Sequence, residues 1–451
     1  MKAATHDTPA IDVQALRVGM FVHLDVGWMS HPFPLSSFRI TSPAQVATIR
    51  SLGLARVRWS PQQSEVAADP VAEPALPTPS RAAANDADGA AADSDVAALD
   101  EPQTAPGALD APAASPEEQA RAERRRRLDA QREAQQVCER QYGEAARACR
   151  QTIELIPGRP REARAQAEAL TRALVDKMIG DRELCIRMLG EGSADKASMH
   201  AMNVGLISLL MGRCFGFAAD EMEDLGVGAM LHDIGKLDLP ARMRYREDNF
   251  SPSEVRVYEE HVELGGVQAR RMGLSPGATA VIAQHHEHAD GSGFPAQLNS
   301  DRMTMAARIV ALVNRYDNLC NPRLPARAMT PHESLSLLFA QGRSKFDTSI
   351  LGAFIKMMGV YPPGSVVQLT DDRYGLVVSV NSTRPLKPNV LVHDAGVARE
   401  EALILDLELN AGLGIRRSIK PQQLPPTVLE VLAPCPRVAY FFEPATVEVQ
   451  E

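Results

Sequence analysis

The sequence predicts a mainly α-helical protein with a small β-rich unit at each end. Three observations predict it. From 161 to 179, and again from 194 to about 360, apolar residues follow the three-and-four spacing of buried helix faces. Residues 21–26 and 364–392 instead hold short alternating or β-branched runs between turn residues, as half-buried strands do. Residues 65–117 are Ala, Pro and Asp, a composition that cannot bury enough apolar area to offset chain entropy.

In chain order, residues 1–64 are expected to form a small α+β domain. Phe21-Val22-His23-Leu24-Asp25-Val26 alternates as a strand, and Val57-Arg58-Trp59 suggests a closing strand. Trp28, Pro32, Phe33 and Phe38 are its core candidates. Residues 65–117 read as a disordered linker, and no aromatic residue occurs between Ser60 and Gln141. Residues 118–180 read as a helical connector. Arg124 to Arg127 lie there among Glu118, Glu123 and Asp129, so a solvated charged helix is preferred over a nucleic-acid or lipid patch. Ala163, Ala167, Leu170, Leu174 and Met178 make one apolar stripe, which suits packing onto the next region and leaves homodimerisation open. Residues 181–360 form the helical catalytic candidate, with loops at 235–252 and 289–302. Residues 361–451 read as a β-rich extension.

Composition narrows the function. The net charge is −9, and the interval from Glu65 to Asp110 holds ten acids against one base, a difference that equals the whole net charge. The rest of the chain is near neutrality, which argues against a nucleic-acid polymer as partner. The six cysteines are scattered without a C-x-x-C pair, no apolar run reaches bilayer length, and no hydrophobic signal core opens the chain. The expectation is a cytoplasmic protein with no membrane span.

The chemistry concentrates in one stretch. Six of the eleven histidines lie between His200 and His288, around the run Leu231-His232-Asp233-Ile234-Gly235-Lys236. A vicinal His-Asp pair presents a neutral imidazole and a hard carboxylate, a donor set that suits divalent transition metals. His200 shares a helix face with Val204, Ile207 and Met211 and should point inward. Lys236, four residues after His232, is expected on the same helical face, where it could meet an anionic substrate. A lone helical histidine is usually a hydrogen-bonded residue at a core edge. Four separated segments carrying His200, His232-Asp233, His261 and His285-His286 are harder to explain that way. They supply enough nitrogen and oxygen donors for a two-metal phosphoester-hydrolysing site.

The ordered set His200, His232-Asp233…Lys236, His261 and His285-His286-Glu287-His288-Ala289-Asp290-Gly291-Ser292-Gly293-Phe294-Pro295 resembles the HD-GYP family, with Phe294 where the naming motif has Tyr. The resemblance spans about 180 to 360. Residues 11–64 are similar to the small domain that often precedes such domains, and 360–365 to the segment that follows them. The resemblance implies a helical HD-type fold and hydrolysis of cyclic di-GMP to pGpG or GMP. It implies two divalent ions (Fe, Mn, Zn or Ni) held by His200, His232, Asp233, His261, His285 and His286, with Asn314 at a ligand position. Asp233 and Lys236 are then the catalytic candidates. Lys236, Arg323, Arg327, Gly293, Phe294 and Pro295 are the implied substrate contacts.

Departures from the pattern keep a second reading open. Asn314 replaces an Asp ligand and so offers a neutral donor, while Asp317 three residues later reads as a surface or supporting carboxylate. Arg323-Leu324-Pro325-Ala326-Arg327 lacks the family's Tyr and displaces its second basic residue. Lys196, four before His200, stands where trinuclear relatives place a Glu, so two metals are expected rather than three. The alternative is a degenerate regulator that binds nucleotide or a diguanylate-cyclase partner without turnover. A third reading keeps the chemistry and changes the nucleotide.

Overall fold

The computed structural model describes residues 9–26, 31, 33, 37–64, 115–178, 183–190, 195–245, 247, 249–381, 384–398, 401–410 and 412–445. Residues 65–114 of the expected 65–117 linker, and the core candidates Trp28 and Pro32, lie outside the described residues; 115–117 instead open a helix.

The N-terminal unit contains β1 (Ala10–Asp12), β2 (Phe21–His23), β3 (Ser37–Arg39), α1 (Pro43–Ser51) and β4 (Arg56–Ser60), with strand order β1-β4-β2-β3. The expected strands at 21–26 and 57–59 are β2 and β4, which pair antiparallel with Val22 opposite Trp59. Alternation puts Val57 and Trp59 inward, and they pack with Val22, Ile40, Ile49 and Phe33.

Two long helices follow, α2 (Pro116–Leu155) and α3 (Pro160–Met178). A capping box formed by Ser115 and Glu118 starts α2. All five residues of the predicted α3 stripe are buried. Leu170, Leu174 and Met178 share a core with Tyr142 of α2 and with the helices that follow.

Those helices are α4 (Lys196–Cys214), α5 (Ala219–Leu231), α6 (Pro252–Glu259), α7 (His261–Met272), α8 (Pro276–Gln284), α9 (Met305–Cys320), α10 (Pro331–Gln341) and α11 (Thr348–Met358), preceded by β5 (Leu184–Leu189). Side-chain caps from Asp195, Ser251, Ser275, Thr304 and Thr330 satisfy orphan N–H groups at five of their starts. The core of the bundle includes Met202, Leu206, Leu209, Ile309, Leu312, Tyr316 and Phe354. Full burial of a side chain such as Phe354 contributes roughly 1.5–3 kcal/mol.

The C-terminal region adds β6 (Val366–Leu369), β7 (Tyr374–Asn381), β8 (Asn389–Val392), β9 (Ile404–Asp406), β10 (Ile415–Ser418), α12 (Pro426–Leu432) and β11 (Ala439–Pro444). The expected strands at 364–369, 375–380 and 389–392 appear as β6, β7 and β8. The sheet reaches beyond this region, however. Its order is β10-β6-β7-β5-β11, with β8 on β7 and β9 on β8. Thus β5, just ahead of the helical bundle, is paired on one side by β7 and on the other by the last strand of the described chain. Arg187 on β5 and Glu443 on β11 form an ion pair at 2.7 Å, both largely buried. No helix among the described residues is long and apolar enough to cross a membrane.

Candidate metal centre

Local structure explains how the histidines come together. His200 is the fifth residue of α4. His232 caps the C-terminus of α5, and the chain then turns through a 3₁₀ segment, Ile234–Asp238. This turn lies against the start of α7. A Cβ on Gly235 would fall 1.9 Å from the His261 carbonyl oxygen and 2.4 Å from the Gly265 nitrogen, so only glycine permits the approach. His261 opens α7, and His285 caps α8 with His286 next. Gly293 brings the following loop onto the histidine backbone, since its Cβ would sit 2.5 Å from the His286 oxygen.

Asp233 lies at the middle. Its Oδ2 is 3.7 Å from His200 Nε2 and 3.5 Å from His232 Nε2. Its Oδ1 is 3.6 Å from His261 Nε2 and 3.7 Å from His285 Nε2. Each oxygen therefore serves a different histidine set. The candidate donor groups are His200, His232 and Asp233 on one side, and Asp233, His261, His285 and His286 on the other.

The other ring nitrogens fix the tautomers. His232, His261 and His285 each donate from Nδ1 to the carbonyl three residues earlier, at 2.7, 2.6 and 2.8 Å. His200 Nδ1 donates to Asp317 Oδ2 at 2.6 Å. In the neutral ring, a proton on Nδ1 leaves a lone pair on Nε2. His200 and His232 thus aim bare nitrogens at each other across 3.2 Å, and His261 and His285 do so across 3.3 Å. Lone pairs that close repel unless a cation lies between them. Burial holds His261 at about 4 and keeps His285 and His286 well below the usual imidazole range, so they are neutral ligands at neutral pH. Burial opposes ionisation of Asp233, but the Lys236 ammonium and neighbouring histidines hold its carboxyl well below the usual range. Asp233 Oδ1 and His286 Nε2 are buried without a hydrogen-bond partner. A carboxylate, neutral imidazoles and orphaned buried acceptors fit divalent cations.

Residues 187–350 match the family described as HD domain. That stretch is similar to HD domains and contains the whole histidine cluster. Residues 9–167 match a domain of unknown function, DUF3391, which takes in the N-terminal unit and α2. A Pseudomonas aeruginosa protein named as a cyclic di-GMP phosphodiesterase is 26% identical over 197 residues, covering 43% of this chain and 47% of that protein. A Vibrio cholerae protein named as a probable cyclic di-GMP phosphodiesterase is 35% identical over 136 residues, covering 28% and 31%. Another from Vibrio cholerae, named as a 3′3′-cGAMP-specific phosphodiesterase, is 25% identical over 182 residues, covering 40% and 35%. The chain spans about half or less of the length of these three relatives.

The other sequence-predicted residues lie around this cluster and on the loops beside it. Lys236 lies on the 3₁₀ segment, because α5 ends at Leu231, and not on a continuing α-helical face with His232. Its Nζ is 2.6 Å from Asp233 Oδ2 and 5.4 Å from the Tyr258 ring centre. Burial disfavours its charge, but Asp233 raises its pKa above the ordinary lysine value. Phe294 stacks on His286 with ring centres 4.6 Å apart, and Pro295 follows it on the exposed loop. Arg323 and Arg327 are exposed, and Arg323 pairs with Glu247. Asn314 is buried on α9, where its Oδ1 accepts from Asn318 Nδ2 at 2.6 Å. His288 bonds Ser292.

Two supports of this site were not fixed by the sequence: Glu287 carried no role, and Asp317 was left between a surface and a supporting carboxylate. Glu287 is fully buried and accepts from the Ala296 and Leu298 amides at 2.7 and 2.9 Å, bracing the loop that carries Phe294. Asp317 is also fully buried, which excludes the helix-surface reading. Its Oδ2 holds His200, while its Oδ1 accepts from Asn203 Nδ2 at 2.7 Å and Asn321 Nδ2 at 2.9 Å. Both asparagines also donate to the Val438 carbonyl and accept, through Oδ1, from the Tyr440 and Val438 amides. The C-terminal strand is thus tied to the carboxylate that orients His200. A polar residue on an apolar helix stripe, as Asn203 is, was the available signal.

Proposed function

We propose that this protein is a metal-dependent phosphodiesterase acting on cyclic di-GMP in the cytoplasm, giving pGpG or GMP. The observation that carries the reading is the Asp233 carboxylate set between two histidine sets whose bare nitrogens face each other. Two divalent ions are the occupancy this donor set fits. Ions bound there would supply hydroxide near neutral pH and offset charge on the attacked phosphate.

The chain's own groups do the rest. Asp233 divides its oxygens between the two sites. Lys236 keeps that carboxylate ionised and presents a cation at the centre's edge, where a phosphoryl oxygen would carry negative charge. Phe294 covers His286 and limits water access to it. Arg323 and Arg327 are exposed and would offer guanidinium groups to a nucleotide phosphate. Asn314 is the seventh ligand in this reading. Its neutral oxygen compensates no cationic charge, so that ion is held more weakly than by an Asp.

The test is turnover. Metal-reconstituted protein is offered cyclic di-GMP, 3′3′-cGAMP and linear pGpG, with bound metal counted on the same sample. Hydrolysis of cyclic di-GMP that disappears in His232→Ala and Asp233→Ala is expected. Unchanged activity in both variants rejects the site. Preference for 3′3′-cGAMP would move the substrate assignment without moving the chemistry. Asn314 is the specific observation behind a second reading, a regulator that binds nucleotide without turnover, and fewer than one metal per chain with no hydrolysis would favour it.

A further inference from the structure

The N-terminal turn of α4 carries a cationic group that the proposed chemistry does not use. Lys196 is the first residue of α4, and His200 lies four residues on, about 6 Å along the helix axis. Its Nζ stands 5.5 Å from the centre of the Tyr245 ring, and the Arg323 guanidinium carbon stands 5.6 Å from the same centre. An aromatic ring at that range attracts cations, and here two of them lie within reach of one ring. Tyr245 itself is 37% exposed, so the platform faces solvent. It lies in the turn region that follows the His232-Asp233 pair.

More positive charge converges on this point. Burial first, then the charges of Arg437, Arg323 and Lys236, weigh against the Lys196 ammonium and bring it to about 8, while Asp317 favours it. Arg437 directly precedes Val438, which the Asn203 and Asn321 side chains hold against α4 and α9. Like charges gathered beside a centre suited to divalent ions repel one another in the free protein, offset at Arg323 by its ion pair with Glu247. A polyanion relieves that repulsion on binding. A diester with one phosphate would be met at the metal centre alone, whereas a cyclic dinucleotide carries a second phosphate that the metal centre does not hold.

We propose that Lys196, positioned by Tyr245 and assisted by Arg323, binds the second, unreacting phosphate of a cyclic dinucleotide. The proposal rests on the phosphodiesterase reading above, and its test separates the two. Lys196→Ala, Lys196→Arg and Tyr245→Leu are compared with the unaltered protein, all metal-loaded and with metal content measured. The substrates are cyclic di-GMP and bis(p-nitrophenyl) phosphate, a diester with a single phosphate. In Lys196→Ala, kcat/KM for cyclic di-GMP should fall about tenfold more than for the single-phosphate diester, chiefly through KM. Lys196→Arg should recover most of the loss, and Tyr245→Leu should show a smaller loss of the same kind. Parallel losses on both substrates, a drop in bound metal, or no change on either would overturn the assignment.

If the unaltered protein cleaves only the single-phosphate diester, the functional reading fails and the subsite is read from inhibition. Cyclic di-GMP should then inhibit the unaltered protein about tenfold more strongly than Lys196→Ala, and equal inhibition overturns the proposal. If neither diester is cleaved, calorimetric titration of cyclic di-GMP into the same two proteins decides it by the same comparison.

Discussion

Replacing Asp317 by Asn isolates the brace behind His200. The carboxylate accepts three hydrogen bonds, from His200 Nδ1 at 2.6 Å, Asn203 Nδ2 at 2.7 Å and Asn321 Nδ2 at 2.9 Å. An amide of the same shape has one accepting oxygen and one donating nitrogen. Turned with its NH₂ toward His200, it drives the imidazole proton to Nε2, the atom aimed at Asp233 and His232. Turned the other way, it sets its NH₂ against two asparagine donors, at about 1–3 kcal/mol for each buried group left unsatisfied. Loss of such an orienting carboxylate typically weakens metal binding 10–100-fold, or about 1.4–2.7 kcal/mol. Chelator competition on the purified variant should show one ion per chain weakened by that factor and the second, on the His261–His286 side, held as before. A metal-free thermal melt run alongside reports the folding cost. Two ions held as tightly as in the unaltered protein, with unchanged stability, would refute the role assigned to Asp317.

Three further outcomes are expected. Asn314→Asp should raise metal occupancy measured by elemental analysis, because a carboxylate replaces a neutral oxygen; no change would show that this position is not a ligand. Gly235→Ala places a Cβ on the His261 carbonyl and should lower stability by about 1–3 kcal/mol while loosening metal binding, since it separates the Asp233 turn from α7. Lys177, buried on α3, donates to the His31 and Phe33 carbonyls at 2.8 and 2.7 Å, and burial lowers it to about 7. Between that value and the ordinary lysine range the unfolded chain binds the extra proton. Stability should therefore rise with pH, by up to about 1 kcal/mol from pH 7 to pH 8, and Lys177→Met should flatten this slope in denaturant melts.

The cluster of His200, His232, Asp233, His261, His285 and His286 was legible because its members lie within short motifs whose helix-end geometry is local. His232, His261 and His285 all use the carbonyl three residues back, a contact that needs no distant partner. The strands at 21–23, 56–60, 366–369, 374–381 and 389–392 were legible from alternation and β-branching. What stayed hidden depends on long separations in sequence. Pairing of β5 with β11 joins residues near 187 to residues near 441, and no local pattern announces it. The link from Val438 through Asn203 and Asn321 to Asp317 has the same character. Lys236 was misplaced for a different reason. Apolar spacing continues through Ile234 and Leu237, yet Gly235 lets the chain tighten into a 3₁₀ turn against α7.

In the proposed site Asp233 would be shared by two cations. The most direct measurement counts bound divalent metal and cyclic di-GMP turnover on one sample, for the unaltered protein and for Asp233→Ala. Close to two ions per chain with turnover are expected for the unaltered protein, and loss of both the ions and the turnover in the variant. Turnover that persists in Asp233→Ala with the metal content unchanged would contradict it.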